Sequence, residues 1–356
     1  MTVRTRLEQM VGDCVSFAVV GFLFVASAQG HHSDAGLDME SVVMLEGTIT
    51  EYSWRNPHIY FTVETTDDRG ERVEWLVQTS PIISATRRGW TRESLAIGER
   101  VFVEAHPARD GRPYALLYAI EKEGGIVLGT AARPASDRPA EPESTASTTT
   151  LAGIWMADRT ELVSYPGGFD GFFHAHLQLT EEGAAAQAAY DPLSAENPES
   201  KCIGRPTPAM IVSSDLFPMQ IEIDESEDII MIRSGFWDEE RTVFMDGRMH
   251  PEPNERSLSG HSIGRWEGET LVVDTTNFAD HRSPYQIGVP SGSGKHVVER
   301  YRLNDEGTRI IVDFMLEDPQ FLSEPVNHSR ELVYSPHLEI LPYNCDMDST
   351  SRFLRP

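Results

Sequence analysis

Short runs in which apolar and polar residues alternate follow one another along most of the chain after residue 40. In the run at 270–277, Leu271 and Val273 fall on one side, and Val272 and Asp274 fall on the other. A period of two residues is typical of a β-strand. The Glu-Gly-Glu turn before this run predicts a hairpin with the preceding run. The hydrophobic pattern therefore predicts a mainly β protein.

Residues 31–123 are predicted to form an OB-like five-stranded barrel. Three strand-like runs are followed by a helix-like stretch at 81–88 and then by two more runs. Three strands, a helical connection and two strands is the element order of the OB fold. The predicted strands cover 42–54, 58–66, 72–78, 100–106 and 113–122.

Residues 124–150 interrupt this pattern. They are rich in Ala, Pro, Ser, Thr and Glu and contain few bulky apolar residues. A segment of this composition cannot bury a hydrophobic core. The sequence therefore predicts a disordered linker here.

Residues 151–356 are predicted to form an antiparallel β barrel or strongly curved meander, similar to a lipocalin, with one short helix. Many strands separated by tight turns, without a βαβ pattern, favour this architecture. Thr180 is the predicted N-cap of the helix, which ends before Asp191-Pro192. The predicted strands cover 172–179, 218–223, 229–234, 241–245, 262–266, 270–277, 296–303, 309–316, 329–334 and 338–344.

Residues 1–28 are predicted to be a signal peptide. Arg4 and Arg6 precede an apolar run at 15–25, and a small-x-small triplet follows at 26–28. An apolar run of this length is too short to span a bilayer. No later run is longer, so we expect a periplasmic or secreted mature chain without an integral membrane segment. A short membrane anchor at 15–25 is the alternative.

The chain is strongly acidic, with 30 Lys+Arg against 56 Asp+Glu and a formal net charge of -26. Removal of residues 1–28 takes away two Arg and two acidic residues, so the mature chain keeps this charge. Nucleic-acid binding needs clustered cations, and the cations here are scattered. The composition argues against a nucleic-acid partner and is compatible with cations or neutral small molecules as ligands.

Cys14 lies in the predicted signal peptide, which leaves Cys202 and Cys345 in the mature chain. Two cysteines in an oxidising compartment usually pair. A disulfide between them would close a long loop and stabilise the fold by on the order of 4 kcal/mol. Two separately buried thiols are the alternative.

The Gly-x-Ser-x-Gly pattern at 260–264 has the letters of a hydrolase nucleophile elbow. Such an elbow needs a buried strand before the Ser and a helix after it. Here a polar stretch precedes Ser262 and a hairpin follows it. We therefore interpret the glycines as positions of close backbone approach or a bulge. We do not expect Ser262 to be a nucleophile.

A glycine-rich run at 288–295 ends in Lys295 and is similar in composition to a phosphate-binding loop. It lacks the spacing of that motif and a following helix. We interpret it as a flexible loop at the mouth of the second barrel.

Several ionisable residues fall on successive predicted strands of the second barrel or at their ends. Because alternate residues point into a barrel, some of them are expected to converge there. A His beside a carboxylate can act as a general base, and an Arg can stabilise negative charge. The predicted catalytic residues are His261, Asp274, Glu299, Arg265 and Arg241. The predicted ligand-binding residues are His250, Trp266, His296, His174, His176 and Phe244. A structural ion-pair network is the alternative.

A copper site is predicted at the mature N-terminus. Cleavage after residue 28 leaves Gln29-Gly30-His31, whose amine, amides and imidazole suit Cu(II). Cleavage after residue 30 would instead leave His31 at the N-terminus, where its amine and imidazole can chelate copper. His32 and His58 are further predicted ligands. No cofactor is required by the sequence, and the chain has no zinc-type cysteine spacing.

Three long motifs in the second unit resemble a widespread family of exported, uncharacterised bacterial β-domain proteins. They lie at 245–251 (Met-Asp-Gly-Arg-Met-His-Pro), 260–275 and 296–301. The first unit resembles another uncharacterised family of small periplasmic domains. The resemblance lies in residues 31–33, 54–58 and 88–91. Both resemblances imply export and β structure, and neither implies an activity.

Three functional hypotheses follow. The first is an exported protein that binds a small apolar molecule in a barrel cavity. The second is a lyase, isomerase or hydrolase with a His–carboxylate–Arg cluster, and the third is a periplasmic copper-binding protein. An apolar interior favours binding, whereas a His–carboxylate–Arg cluster inside the barrel favours catalysis.

Overall fold

A computed structural model describes residues 36–122, 126–129, 145–157, 165 and 168–355. The described residues form two closed β barrels, as the sequence predicts. The strands of the first are β1 (Val43–Ser53), β2 (Tyr60–Thr66), β3 (Arg72–Gln78), β4 (Arg100–Pro107), β5 (Tyr114–Lys122) and β6 (Ile126–Gly129). Those of the second are β7 (Gly153–Ala157), β8 (Met219–Asp224), β9 (Ile229–Ser234), β10 (Glu240–Phe244), β11 (His261–Glu267), β12 (Thr270–Thr276), β13 (His296–Leu303), β14 (Arg309–Glu317) and β15 (Val326–Tyr334).

The helices are short. They are α1 (Ile82–Arg87), α2 (Gly168–His176), α3 (Glu181–Ala188), α4 (Ala209–Val212) and α5 (Met347–Ser351), with 3₁₀ turns at Pro198–Lys201 and Ser213–Asp215. Thr180 caps α3 by accepting a hydrogen bond from the backbone N–H of Gly183, as predicted. Among the described residues, no helix is long and apolar enough to cross a membrane.

The first barrel has the OB arrangement. Its strands pair in the order β3-β2-β1-β4-β5, and a parallel pairing of β3 with β5 closes the barrel. A register shift between Ile49 and Glu51 bends β1, which allows it to pair with both β2 and β4. Residues 126–129 add β6 to this sheet, although the sequence analysis placed them in the linker. Residues 130–144 of that linker lie outside the described residues.

The second barrel is a meander in which each strand pairs with its neighbours in the chain, and β15 closes onto β7. The pairings are antiparallel with one exception, the parallel pairing of β10 with β11. The prediction of a wholly antiparallel barrel is therefore wrong at this join. The connection 245–260 causes the exception, because it carries the chain back to the end of the barrel where β10 begins.

The interior of the second barrel is packed with side chains. Inward residues such as Val273 and Val312 belong to one hydrophobic cluster with Phe172 and Phe173 of α2 and Met210 of α4. The two helices therefore plug the barrel from one side. This capped end is where β10, β11 and β13 begin, and the loop 277–294 covers it.

The structure corrects the predicted strand at 172–179, because this segment belongs largely to α2. Phe169, Phe172 and Phe173 are buried on one face of that helix. Their spacing of three and four residues is helical, while Phe173 and Leu177 also fit a strand period. The apolar pattern alone did not separate the two structures.

The predicted strand at 338–344 is also wrong. Residues 338–355, here called the return segment, leave the second barrel, contain α5 and pack on the first barrel. The Arg112 guanidinium of the first barrel donates to the backbone carbonyls of Phe353 (2.8 Å) and Leu354 (2.6 Å). The Phe353 ring is fully buried in a cluster with Tyr60 and Tyr114.

The predicted disulfide joins Cys202 to Cys345, which are 143 residues apart in the chain, with a Cα–Cα distance of 5.9 Å. It fixes the return segment to the capped end of the second barrel. Close by, the Asn56 side chain of the first barrel donates to the Tyr343 carbonyl at 2.6 Å. The disulfide and the return segment together hold the two barrels against each other.

Candidate functional site

Strand alternation divides the predicted site residues into two groups. On β12, Thr275 points into the barrel and Asp274 points out. On β13, Glu299 points in and His296 points out, in agreement with their burial patterns. The residues that the sequence analysis grouped together therefore form an inner and an outer cluster.

The inner cluster is centred on a buried ion pair. Arg241 donates through Nη2 to Glu299 Oε2 at 2.5 Å, and the two side chains are 2% and 0% exposed. Arg241 also donates to Tyr301 Oη (3.1 Å) and Thr275 Oγ1 (3.3 Å). The Thr207 hydroxyl donates to the second oxygen of Glu299. Both carboxylate oxygens are thus occupied, which is typical of a structural ion pair.

Ser262 lies beside this cluster. Its side chain is buried and its Oγ is 2.8 Å from Thr275 Oγ1. Gly260 has a φ of +72°, and a Cβ there would lie 2.6 Å from the Thr276 carbonyl oxygen. Close backbone approach, as predicted, explains the glycine at the start of the Gly-x-Ser-x-Gly pattern.

The outer cluster is a chain of five side chains across β11 to β14, called here the histidine chain. Each side chain contacts the next through a nitrogen or oxygen atom, in the order His261, His250, Asp274, His296 and Glu317. His261 Nδ1 is 3.0 Å from His250 Nδ1, and His250 Nε2 is 3.1 Å from Asp274 Oδ1. His296 Nε2 is 3.0 Å from the same Asp274 oxygen, and its Nδ1 is 3.4 Å from Glu317 Oε2.

Charge is distributed unevenly along the histidine chain. The hydrogen bond to Asp274 raises the pKa of His296 above its ordinary value. Burial, followed by the electrostatic effects of His250 and Arg248, lowers the pKa of His261. The chain therefore carries its proton preferentially at the His296 end and keeps His261 neutral near pH 7.

Aromatic and cationic side chains flank the His261 end. The Phe244 ring stacks on His261 with centroids 5.1 Å apart, and the Arg248 guanidinium lies 3.8 Å from the Phe244 centroid. Among the described residues, no group of three or more His, Cys, Asp or Glu side chains is arranged to hold a metal ion. The contacts within the histidine chain are at hydrogen-bond distance.

His296 is expected to stabilise the fold more at acidic than at alkaline pH. Because its folded pKa is raised, this contribution is fully present below the unfolded pKa and is lost as the pH rises through the folded pKa. Its side chain is 30% exposed, so we expect His296→Gln to cost about 0.5–1 kcal/mol at pH 5.5 and less at pH 9. Urea unfolding at both pH values measures this, with the exposed His337→Gln variant as control. A cost that is equal at both pH values would contradict the assignment.

The remaining predicted residues lie elsewhere. Arg265, 59% exposed, pairs with Glu267 at the tip of the β11–β12 hairpin, and Trp266 is 47% exposed. His174 is exposed on α2, and the His176 ring stacks on Phe172 at 4.3 Å.

Of the predicted copper ligands, His31 and His32 lie outside the described residues. His58 Nδ1 donates to the Thr79 carbonyl at 3.1 Å. Copper binding at the mature N-terminus stays a prediction.

The sequence analysis missed Lys295, which lies at the capped end of the second barrel. This side chain is 1% exposed. Its Nζ is 4.3 Å from the centroid of Phe278 and 5.6 Å from that of Tyr285. Nζ makes no hydrogen bond to any residue that the structure describes. Residues 288–292 are mostly buried beside it, contrary to the predicted loop at an open mouth.

Acidic groups surround this amine. Burial lowers the pKa of Lys295 to about 7, against the opposing effect of Asp318, Glu239 and Glu299. Burial likewise raises the pKa of Glu239 to about 7 and raises that of Asp318. Asp318 accepts the Gly292 N–H through Oδ2 at 3.0 Å. Its Oδ1 is unpaired among the described residues, as is the Tyr285 hydroxyl.

His281 fixes the loop that covers this amine. Its Nδ1 accepts the Ser283 backbone N–H at 3.0 Å, so its Nε2–H donates to the Gly204 carbonyl at 2.9 Å. Burial lowers the pKa of His281 to about 3. This neutral imidazole therefore holds the loop to the segment at 204 and is not a base at neutral pH.

The family match found by comparison with known proteins covers most of the first barrel. Residues 21–117 match the model of a family of unknown function, DUF6152. The resemblance of the first unit to an uncharacterised domain family is thus confirmed. No curated protein matches the chain. The match ends before the second barrel, so the inner cluster, the histidine chain and Lys295 all lie outside it.

One similar solved structure is a mitochondrial single-stranded DNA-binding protein, Rim1 of S. cerevisiae. It is 16% identical and covers 24% of this chain and 97% of that chain, with a TM-score of 0.19. A likeness at this TM-score carries no argument about function.

Proposed function

We propose that the protein is exported and that its second barrel binds a small molecule at the capped end, around Lys295. The ligand has an apolar body and a carbonyl or carboxylate oxygen. The observation that carries this proposal is the fully buried Lys295 amine, whose Nζ has no hydrogen-bond partner among the described residues. An unpaired amine in the interior is costly, and a ligand oxygen would satisfy it.

The surroundings of Lys295 support an apolar ligand body. Phe278, Tyr285 and Val289 are fully or almost fully buried around the site, and the Phe173 ring lies 5.0 Å from Tyr285. The Tyr285 hydroxyl, unpaired among the described residues, offers a second donor. Sites with aromatic walls and a few convergent donors are typical for small ligands.

The division of the predicted site residues favours binding over the catalytic hypothesis. That hypothesis places His261 and a carboxylate together with Arg241 or Arg265 at one site. His261 lies on the outer face of the barrel, whereas Arg241 and Glu299 pair in the interior. Export is supported by the predicted signal peptide and by the disulfide, which is typical of an oxidising compartment.

A fluorescent apolar carboxylate, cis-parinaric acid, tests this proposal. We expect the purified full-length protein to bind it and Lys295→Met to weaken the affinity at least ten-fold, since the carboxylate loses its cation. Above pH 7, the wild-type affinity should fall about ten-fold per pH unit as the amine loses its proton.

Lys201→Met is the matched control, because it removes the same charge from an exposed position of the second barrel. Circular dichroism should show that both variants are folded. Equal affinity of wild type and Lys295→Met, or no binding by the wild type, would contradict the proposal.

A further inference from the structure

We infer that Lys295 is a reactive amine that forms an imine with an aldehyde or ketone held at the capped end of the second barrel. This inference rests on the proposed binding function and narrows its ligand class to carbonyl compounds.

The geometry leaves the Lys295 nitrogen available for bond formation. Ion pairing to a carboxylate would hold it as an ammonium group without a lone pair. Here Nζ has no hydrogen bond to any described residue and lies against Phe278 and Tyr285. Burial away from water favours the neutral amine, which is the nucleophilic form, against the attraction that the two ring faces exert on the ammonium form.

The neutral fraction of the amine follows from its environment. Since burial lowers the pKa of Lys295 to about 7, about half of the amine is neutral at pH 7. An exposed lysine of ordinary pKa has a neutral fraction lower by on the order of 10³. The ionisable groups that act on Lys295 or contact it are Asp318, Glu239, Glu299, Arg241, His281 and Tyr285.

The condensation also needs a proton donor nearby. The amine adds to the carbonyl carbon, the C=O π bond breaks, and an amine proton moves to the oxygen. The hydroxyl of this carbinolamine then leaves as water with a proton from an acid, and the remaining N–H proton returns to that acid as the imine forms. Glu239, a buried carboxyl group that interacts electrostatically with Lys295 and whose Oε2 accepts the Ser259 hydroxyl at 3.5 Å, is the acid that we assign to this step. Amine and carbonyl thus give imine and water without an oxidant or reductant.

Access to Lys295 requires movement of the loop 277–294. This loop contains no helix or strand, and its described β-bridges are two isolated ones, between Phe278 and Ser257 and between His281 and Ser291. Segments without ladder hydrogen bonds open at lower free energy than barrel strands. A ligand can therefore enter at the capped end while the barrel stays closed.

The lysine content of the chain makes the inference testable at single-residue resolution. The chain contains three lysines, Lys122, Lys201 and Lys295. Lys122 pairs with Glu99 at 2.9 Å in the first barrel, and Lys201 is exposed. These two act as internal controls for non-selective labelling.

The experiment is reductive trapping at pH 7. The full-length protein is treated with limiting 4-isopropylbenzaldehyde and sodium cyanoborohydride, and peptide mass spectrometry measures the modification of each lysine. We expect Lys295 to be labelled at least ten-fold more than Lys122 or Lys201. Excess cis-parinaric acid should protect Lys295 alone, and Glu239→Gln should slow its labelling at least ten-fold while its circular dichroism spectrum matches that of the wild type.

The outcomes separate this inference from the proposed function. If the aldehyde displaces parinaric acid but Lys295 is labelled no more than Lys201, the imine is refuted and ligand binding stands. If neither probe binds and Lys295 is not labelled, both proposals fail. Unchanged labelling in Glu239→Gln would overturn the role of Glu239.

Discussion

Arg241→Met is expected to lower the free energy of unfolding of the second barrel by about 3–5 kcal/mol. The substitution leaves Glu299, which is 0% exposed, as an unpaired charge in the interior. The hydroxyls of Thr207 and Tyr301 would remain on that carboxylate, but no cation would pair with it directly. Urea unfolding followed by tryptophan fluorescence measures the loss.

Two further variants test the reason for this loss. Arg233→Met, on the adjacent strand β9, removes two ion pairs, with Glu222 and Glu240. The Arg233 side chain is 34% exposed, so the loss should be no more than about 1 kcal/mol. Arg241→Met combined with Glu299→Leu should recover most of the loss, because no buried charge remains. A cost below about 1 kcal/mol for Arg241→Met alone would show that the pair is not buried as described.

Removal of the disulfide by Cys202→Ala and Cys345→Ala is expected to cost about 4–5 kcal/mol. The bond closes a loop with a sequence separation of 143, and the entropy of the unfolded chain rises when so long a loop is opened. Thermal unfolding of the wild type in the presence of dithiothreitol should show the same loss.

The double variant provides the control for this measurement. Dithiothreitol should leave its unfolding unchanged, because it has no bond to reduce. If the double variant is as stable as the wild type, the bridge does not constrain the unfolded chain. A loss confined to the reduced wild type would point to an effect of the reductant.

Much of the fold follows from local pattern. The OB order was predicted because three strands, a helix and two strands are visible as separate apolar runs and turns. In the second barrel, the hairpin at β11–β12 and the meander that follows it were predicted for the same reason. These features depend on residues close together in the chain.

The errors lie where distant segments decide the structure. The apolar residues of the run 172–179 fit both the helical period and the strand period. The run forms a helix because it packs into the end of the second barrel. The segment 338–344 is apolar enough for a strand, but the disulfide at Cys345 and the first barrel hold it outside the sheet. Neither constraint is visible in the local sequence.

The positions of the site residues were also predictable only where they depend on neighbouring residues in the chain. Alternation along β12 and β13 already separates Asp274 and His296 from Thr275 and Glu299, so the division into two clusters was present in the sequence. Lys295 was missed because Gly-Ser-Gly before a lysine is typical of an exposed loop. Its amine is covered by the rings of Phe278 and Tyr285, ten or more residues earlier in the chain.

The contact between the return segment and the first barrel also sets an order of assembly. Tyr60 and Tyr114 are synthesised long before Phe353, the residue that covers them. While the chain is being made, the first barrel therefore presents two aromatic rings that Phe353 does not yet cover. Its surface is completed only when residues made after the second barrel return to it.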